Sequence, residues 1–273
     1  EEYGHNENFI DEYRNESDWD EYLKILVDDP LWGYKNSSDR SFQLESFIKE
    51  RGIPYLVHFT RFENLYDILV NGLLTRENLQ KKEGSYIFND TKRIDMIRDS
   101  ISVSISFPNY RTFYRMRHNS PNSDWVILKL DPRIIYELDV AFCFTNAASN
   151  EIRHIPLYER KKLESFKGMF KEEYNGILRK DLFIPDYYTT DPQAEILVLE
   201  DIPNKYIWEV CFNTEGQAYK KWLFTPIYKQ LRSYYAYTQD NKLFSPRQDY
   251  HFWSNNNNTV IRNYGNSSNI YPF

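Results

Sequence analysis

Residues 189–203 read TTDPQAEILVLEDIP, a turn that leads into a short apolar run. Asp191 and Pro192 predict the turn, because proline fixes its own φ and biases the preceding residue away from helix. The run ILVL is too short for a helix and rich enough in branched residues for a buried strand. Glu195 directly precedes this run, so its carboxylate is expected on a rigid strand start at the mouth of the core. A solvated glutamate beside a strand would give the same pattern.

The other predicted elements alternate between strands and helices. Residues 101–107 alternate Ile, Val and Phe with serine, which is the period of a half-buried strand. Strands are predicted at 55–57, 101–107, 125–130, 196–199 and 206–212. Helices are predicted at 39–50, 111–118, 157–174 and 216–235, the last with a kink at Pro226.

The segment HFTRFE predicts a strand end followed by a capped helix. Thr60 and Glu63 match a capping box, with Thr60 as the N-cap and Gly72 as the residue that ends the helix. His58 then falls beside a helix N-terminus, which offers N–H groups and a positive dipole end. The pattern predicts either a core histidine or part of a binding site.

The densest basic cluster is RTFYRMRH, residues 111–118. Arginines and aromatic side chains together can follow phosphates and stack on bases. A solvated basic helix is an equally good interpretation. The residues predicted to contact nucleic acid are Arg111, Tyr114, Arg115 and Arg117.

Composition limits the function classes. The chain has 273 residues, a net charge of −6 and 41% hydrophobic residues, enough for a sizeable core. Only two cysteines occur, both in apolar surroundings, which favours reduced thiols and the cytoplasm. No apolar run is long enough to cross a membrane. CxxC, HExxH and Walker motifs are missing, which argues against a metal site and an ATPase.

Five motifs occur in one order: YLVHFTRFENLYDILVNGLL, KRIDMIRDSISVSISFPNYRTFYRMR, WVILKLDP, FCFTNAASNEI and TDPQAEILV. Together, over residues 52–212, they resemble the DarT group, toxin enzymes of toxin–antitoxin pairs that use NAD to ADP-ribosylate DNA bases. The resemblance implies an α+β fold, a split antiparallel β-sandwich with surrounding helices. Residues 51–235 would form the ADP-ribosyltransferase domain. Residues 1–50 would be an extension packing on the core, and 236–273 an Asn/Tyr-rich tail, disordered or laid across the surface.

The same resemblance implies site residues. Glu195 would be the catalytic glutamate and Arg93 the catalytic arginine. Tyr110 would stack near the nicotinamide, and the HFT segment would hold the nicotinamide ribose and amide. The residues implied to bind NAD are His58, Phe59, Thr60, Arg93 and Tyr110.

The predicted activity is mono-ADP-ribosyl transfer from NAD to a nucleobase in single-stranded DNA, with release of nicotinamide. Cleavage of the nicotinamide bond passes through an oxocarbenium-like state, which a carboxylate stabilises. Transfer to RNA or to a protein, and a non-catalytic nucleic-acid-binding module, are the alternatives. The resemblance further implies a cognate antitoxin, a role in phage defence and no metal.

Overall fold

The computed structural model describes residues 38–81 and 99–255. Its strands are β1 (Leu56–Arg61), β2 (Ile101–Ile105), β3 (Trp125–Leu130), β4 (Val140–Cys143), β5 (Glu173–Tyr174), β6 (Ile177–Leu178), β7 (Glu195–Val198), β8 (Ile207–Phe212) and β9 (Ala236–Gln239). Its α-helices are α1 (Ser38–Arg51), α2 (Leu65–Asn71), α3 (Arg76–Lys81), α4 (Tyr110–Asn119), α5 (Ile134–Glu137), α6 (Asn150–Arg153), α7 (Leu157–Arg160), α8 (Leu163–Gly168), α9 (Ala218–Leu223), α10 (Pro226–Leu231) and α11 (Tyr250–Asn255). Short 3₁₀ helices lie at Phe62–Asn64, Arg179–Leu182, Asn204–Tyr206 and Lys242–Phe244.

Within the described residues, seven strands form one sheet in the order β4-β7-β2-β1-β3-β8-β9. Neighbouring strands are antiparallel, apart from the parallel pair β8 and β9. Strand β2 divides the sheet, because Ile101 to Val103 pair with β7 whereas Ser104 and Ile105 pair with β1. The predicted α+β class with a split, antiparallel-dominated sheet and surrounding helices is confirmed.

Hydrophobic clusters cover both faces of this sheet. Successive strand residues point to opposite faces, so in β1 Leu56 joins the larger cluster and Val57 a smaller one. Helices α1 and α2 supply the larger cluster. The smaller cluster is completed by Phe113 of α4 and by Leu243 and Phe244. Helix α4 and the segment Leu243 to Trp253 (the C-terminal segment) are therefore neighbours on one face.

The predicted capping box is wrong. Thr60 lies inside β1, opposite Val126, and the following helical turn begins at Phe62 without a side-chain cap. The prediction of His58 at a strand end is also wrong, because β1 pairs with β3 from Leu56 to Arg61. A complete ladder of backbone hydrogen bonds has overridden the local capping signal. The helix does end at Gly72, whose φ is +85°.

The single helix predicted over residues 157–174 is wrong as well. The segment forms α7, α8 and the start of a β5–β6 hairpin. Asn175 and Gly176 have φ of +54° and +76°, and Tyr174 pairs with Ile177 across them. An Asn-Gly pair at positive φ favours a two-residue hairpin turn. The kink predicted at Pro226 is present, because α10 starts there with Thr225 as its cap.

The C-terminal tail predicted from residue 236 is, as far as Asn255, part of the fold. Strand β9 extends the sheet beside β8. Arg247, Asp249 and Trp253 are all buried. The Asn- and Tyr-rich composition of the tail predicted a surface segment, whereas tertiary hydrogen bonds hold Arg247 and Asp249 in the interior.

Candidate active site

Glu195 is the first residue of β7 and is only 9% exposed. Within the described residues its carboxylate accepts hydrogen bonds from three side chains: the Ser102 hydroxyl at 3.1 Å, the Asn109 amide at 3.0 Å and the Asn146 amide at 3.1 Å. The predicted turn before it is also present, since the Ala194 N–H donates to the Asp191 carbonyl at 3.1 Å. The carboxylate is thus fixed from several directions at once.

Both asparagines are oriented by their own backbone surroundings. Asn109 caps α4, and its amide oxygen accepts from the Thr112 N–H at 3.2 Å. The amide oxygen of Asn146 accepts from the Ala148 N–H at 2.9 Å in the loop after β4. Because each oxygen is engaged locally, each NH₂ group is directed at Glu195. The local turns therefore organise the site before any ligand binds.

His58 is tied to the same cluster through Ser102. The Nδ1 atom of His58 lies 2.9 Å from the Ser102 carbonyl. A carbonyl oxygen can only accept, so Nδ1 carries the proton in this contact. The β1–β2 pairing stops at Val57 and Ser104, so the ring takes a carbonyl that the ladder no longer uses. Ser102 therefore connects His58, through its carbonyl, with Glu195, through its hydroxyl.

The other residues implied to bind NAD lie in different surroundings. Phe59 stacks on Phe113 with ring centroids 4.6 Å apart, and Thr60 is buried with its hydroxyl accepting from Asn64. Tyr110 follows the cap Asn109, and burial raises the pKa of its phenol to about 12. Arg93 lies outside the described residues.

The basic helix α4 lines a cavity of about 180 Å³. The lining residues are Tyr110, Arg111, Tyr114, Arg117, Ser245 and Pro246. The C-terminal segment thus supplies one wall of this cavity. Arg115 is exposed and does not line it.

Arg117 differs from the other two arginines because it is bonded into the fold. Its guanidinium donates to the Phe244 carbonyl at 2.7 Å and lies 4.5 Å from the ring centre of Phe113. Burial lowers the pKa of Arg117. A phosphate contact by Arg117 would compete with those interactions. Within the described residues, the side chains of Arg111 and Arg115 make no comparable hydrogen bond to a neighbouring element.

Ser102, Asn109 and Asn146 were not predicted from the sequence as site residues. Each had a signal: Ser102 falls on the polar face of an alternating strand, Asn109 precedes a helix as a cap residue, and Asn146 lies in a small-residue loop after a strand. No group of His, Cys, Asp and Glu that could hold a metal ion occurs within 38–81 and 99–255. Over those same ranges, no helix has the length and apolar character to span a bilayer.

The family model described as DarT, ssDNA thymidine ADP-ribosyltransferase, matches residues 57–221. Thermus sp. 2.9 DarT in complex with NAD⁺ is 17% identical with a TM-score of 0.47, over 71% of this chain and 98% of that one. The same protein with ADP-ribosylated ssDNA is 15% identical with a TM-score of 0.48, over 71% and 97%. Thermosipho africanus DarTG in complex with ADP-ribose is 15% identical with a TM-score of 0.42, over 70% of this chain and 50% of that one, so this chain spans half its length. No curated protein matches the sequence.

Replacing Asn109 by Asp tests the carboxylate cluster. Aspartate can still cap α4 but places a second carboxylate about 3 Å from Glu195. Two such groups share a proton, which raises the pKa of the pair in the folded state above the unfolded value near 4. The folded state then binds more protons than the unfolded one, so stability relative to the unsubstituted chain should fall by about 1–3 kcal/mol as pH rises from about 5 to 8.

Urea unfolding at the two pH values measures this difference. The matched control is Asn150→Asp, the same change at an exposed helix start. A stability difference that is the same at both pH values for Asn109→Asp would contradict the contact with Glu195.

Proposed function

Since the chain belongs to the DarT family of ssDNA thymidine ADP-ribosyltransferases, we propose that it transfers ADP-ribose from NAD to a thymine base in single-stranded DNA. The match to the family model confirms the family and the NAD-dependent transferase class that the motifs predicted. We locate the reaction at Glu195 because its carboxylate is held by three hydrogen bonds at the point where the sheet divides. Single-stranded acceptors also fit the chemistry, since pairing hides the reactive atoms of a base.

Glu195 is assigned to the transition state. The bond between nicotinamide and the ribose C1′ breaks, its electron pair leaves with nicotinamide, and positive charge develops on the ribose. A carboxylate held at the site stabilises that charge without reorganising. A nitrogen of the acceptor base then forms the new bond to C1′ and loses its proton. Glu195 is assigned both the ribose hydroxyl contact and the acceptance of this proton.

The NAD contacts follow from the family resemblance and the position of β1. We assign His58, with the backbone of Phe59 and Thr60, to the nicotinamide ribose and amide. His58 suits this role because its ring is bonded to Ser102, the residue that also donates to Glu195. Tyr110 is assigned to stack near the nicotinamide. Arg93 is assigned as the catalytic arginine, which would hold the diphosphate or orient the acceptor.

The acceptor strand is assigned to the α4 face. Arg111 and Tyr114 line the cavity beside Tyr110, and Arg115 is exposed nearby on the same helix. Phosphate contacts from cationic side chains provide much of the affinity for nucleic acid, and an exposed tyrosine ring can stack on a base. In a chain of net charge −6, this local surface offers the cations that a DNA strand requires.

The biological setting is proposed from the family. The five motifs resemble those of toxin enzymes of toxin–antitoxin pairs, which supports a cognate antitoxin for this chain. We assign the protein to a toxin–antitoxin pair acting in the cytoplasm in phage defence. A cognate antitoxin would suppress transfer when mixed with the enzyme.

Replacing Glu195 by Gln should lower transfer by about 100-fold or more, the scale for losing a key electrostatic or acid–base group. The fold should persist, because the amide oxygen can still accept from both asparagines and the Ser102 hydroxyl can rotate to accept from the new NH₂. Labelled NAD is incubated with single-stranded DNA, RNA and lysate protein in one mixture, and the label is followed into each pool.

Glu173→Gln is the matched control, since Glu173 is exposed on β5. Label in DNA from the unsubstituted chain and from the control, but not from Glu195→Gln, supports the proposal. Label found in RNA or in protein would show that this molecule is the acceptor in place of DNA. Transfer by Glu195→Gln at the normal rate would contradict the assignment of Glu195.

Replacing Arg111 and Arg115 together by Gln should weaken DNA binding and flatten its dependence on salt. Each lost phosphate contact reduces the slope of log K against log salt by about 0.7 for a single strand. Fluorescence anisotropy with a labelled oligonucleotide at several salt concentrations measures the slope. Arg117→Gln is the comparison: it should lower stability, because the bond to Phe244 is lost, and leave the slope unchanged. An unchanged slope in the double variant would move the DNA path away from α4.

A further inference from the structure

Arg247 and Asp249 form a buried ion pair in the C-terminal segment. Arg247 is 2% exposed and Asp249 is 1% exposed. Arg247 donates from Nε at 2.7 Å and from Nη2 at 2.6 Å to the two carboxylate oxygens, and Trp253 Nε1 donates to the same carboxylate at 2.8 Å. Burying two charges costs more than their attraction returns unless further hydrogen bonds satisfy them. The other hydrogen bonds of Arg247 therefore show which part of the fold the ion pair holds in place.

Those bonds go to the chain that leads into Glu195. Arg247 Nη1 donates to the Thr189 carbonyl at 2.8 Å, and Nη2 donates to the Thr190 carbonyl at 3.0 Å. Both threonines are buried and precede β7, so neither carbonyl belongs to a strand ladder. The planar guanidinium makes four hydrogen bonds from a fixed fork of donors, whereas an ammonium group has only three N–H donors.

Other contacts hold the same short segment. Thr190 is further held by its N–H, which donates to the Met169 carbonyl at 2.9 Å, and by Arg179, which donates to its hydroxyl at 3.0 Å. Only four residues separate Thr190 from Glu195 along the chain. A shift of these carbonyls would therefore move the start of β7 and the carboxylate on it.

We propose that Arg247 is a positioning residue for Glu195, and that the C-terminal segment Leu243 to Trp253 is in this way a working part of the active site. The inference rests on the proposed role of Glu195. Residue 247 lies outside the span of the DarT family model, which ends at residue 221. The residue proposed to fix β7 thus belongs to a segment that the family-model match does not include, and the same segment places Ser245 and Pro246 against α4.

Arg247→Lys tests the proposal, because lysine keeps the charge but has too few N–H donors for the four hydrogen bonds that Arg247 makes. We expect kcat for transfer to fall at least 10-fold, with the KM values for NAD and for the oligonucleotide within about 2-fold, since the binding surfaces stay in place. Hydrogen exchange followed by mass spectrometry should show faster exchange in residues 189–195. Arg247→Met should exceed the effect of Arg247→Lys in both measurements.

Two controls separate positioning from stability. Arg133→Lys alters an arginine that also bonds an aspartate, Asp131, but is half exposed at a distance in sequence from this loop. Trp222→Phe lowers stability by truncating a buried side chain in the larger cluster. Both should leave kcat and the exchange of residues 189–195 unchanged at a temperature where every variant is folded.

The possible outcomes are distinct. Unchanged kcat and unchanged exchange in Arg247→Lys and Arg247→Met would overturn the proposal, as would a loss confined to KM. An equal loss of kcat in Trp222→Phe would assign the effect to stability and overturn it too. If the unsubstituted chain modified no acceptor, the proposed function would fail, while the exchange of residues 189–195 would still decide whether Arg247 fixes the loop.

Discussion

The arrangement of the site depends on Ser102, which bonds both His58 and Glu195 at the point where the sheet divides. Strand β2 pairs with β7 through its first three residues and with β1 through its last two. At the point of divergence the Ser102 carbonyl loses its place in the β1 ladder and accepts from His58, while its hydroxyl donates to Glu195. A backbone carbonyl withdrawn from water requires a partner, which the His58 ring provides for Ser102. The hydroxyl of the same residue reaches the first residue of β7. The split thus brings a histidine and a carboxylate to one serine.

The elements around this point are arranged to hold the carboxylate still. A helix cap supplies Asn109, a loop after a strand supplies Asn146, and each amide is oriented by a backbone N–H of its own turn. Arg247 fixes the approach to β7 from the far end of the chain. Fixed polar groups of this kind are what electrostatic stabilisation of a charged transition state requires. Rigidity at Glu195 is thus distributed over segments that are distant in sequence.

Much of this could be predicted from local pattern, and the failures have physical causes. The period of two in residues 101–107 and the run after Glu195 located β2 and β7, because alternation and apolar runs are local signals. Thr60 was misassigned because pairing with β3, a long-range interaction, decided between cap and strand. Asn109 and Asn146 were missed because their contacts with Glu195 join segments 86 and 49 residues apart. Arg247 was hidden in a polar stretch whose burial is decided only by tertiary structure.

We place the reaction of NAD at the carboxylate beside Ser102 and His58. A crystal structure of the chain with a non-hydrolysable NAD analogue tests this placement. The nicotinamide ribose should lie within hydrogen-bond distance, about 3 Å, of the Glu195 carboxylate, with the nicotinamide beside His58. An analogue bound with its ribose away from Glu195, with Ser102, Asn109 and Asn146 still bonded to an unoccupied carboxylate, would contradict it.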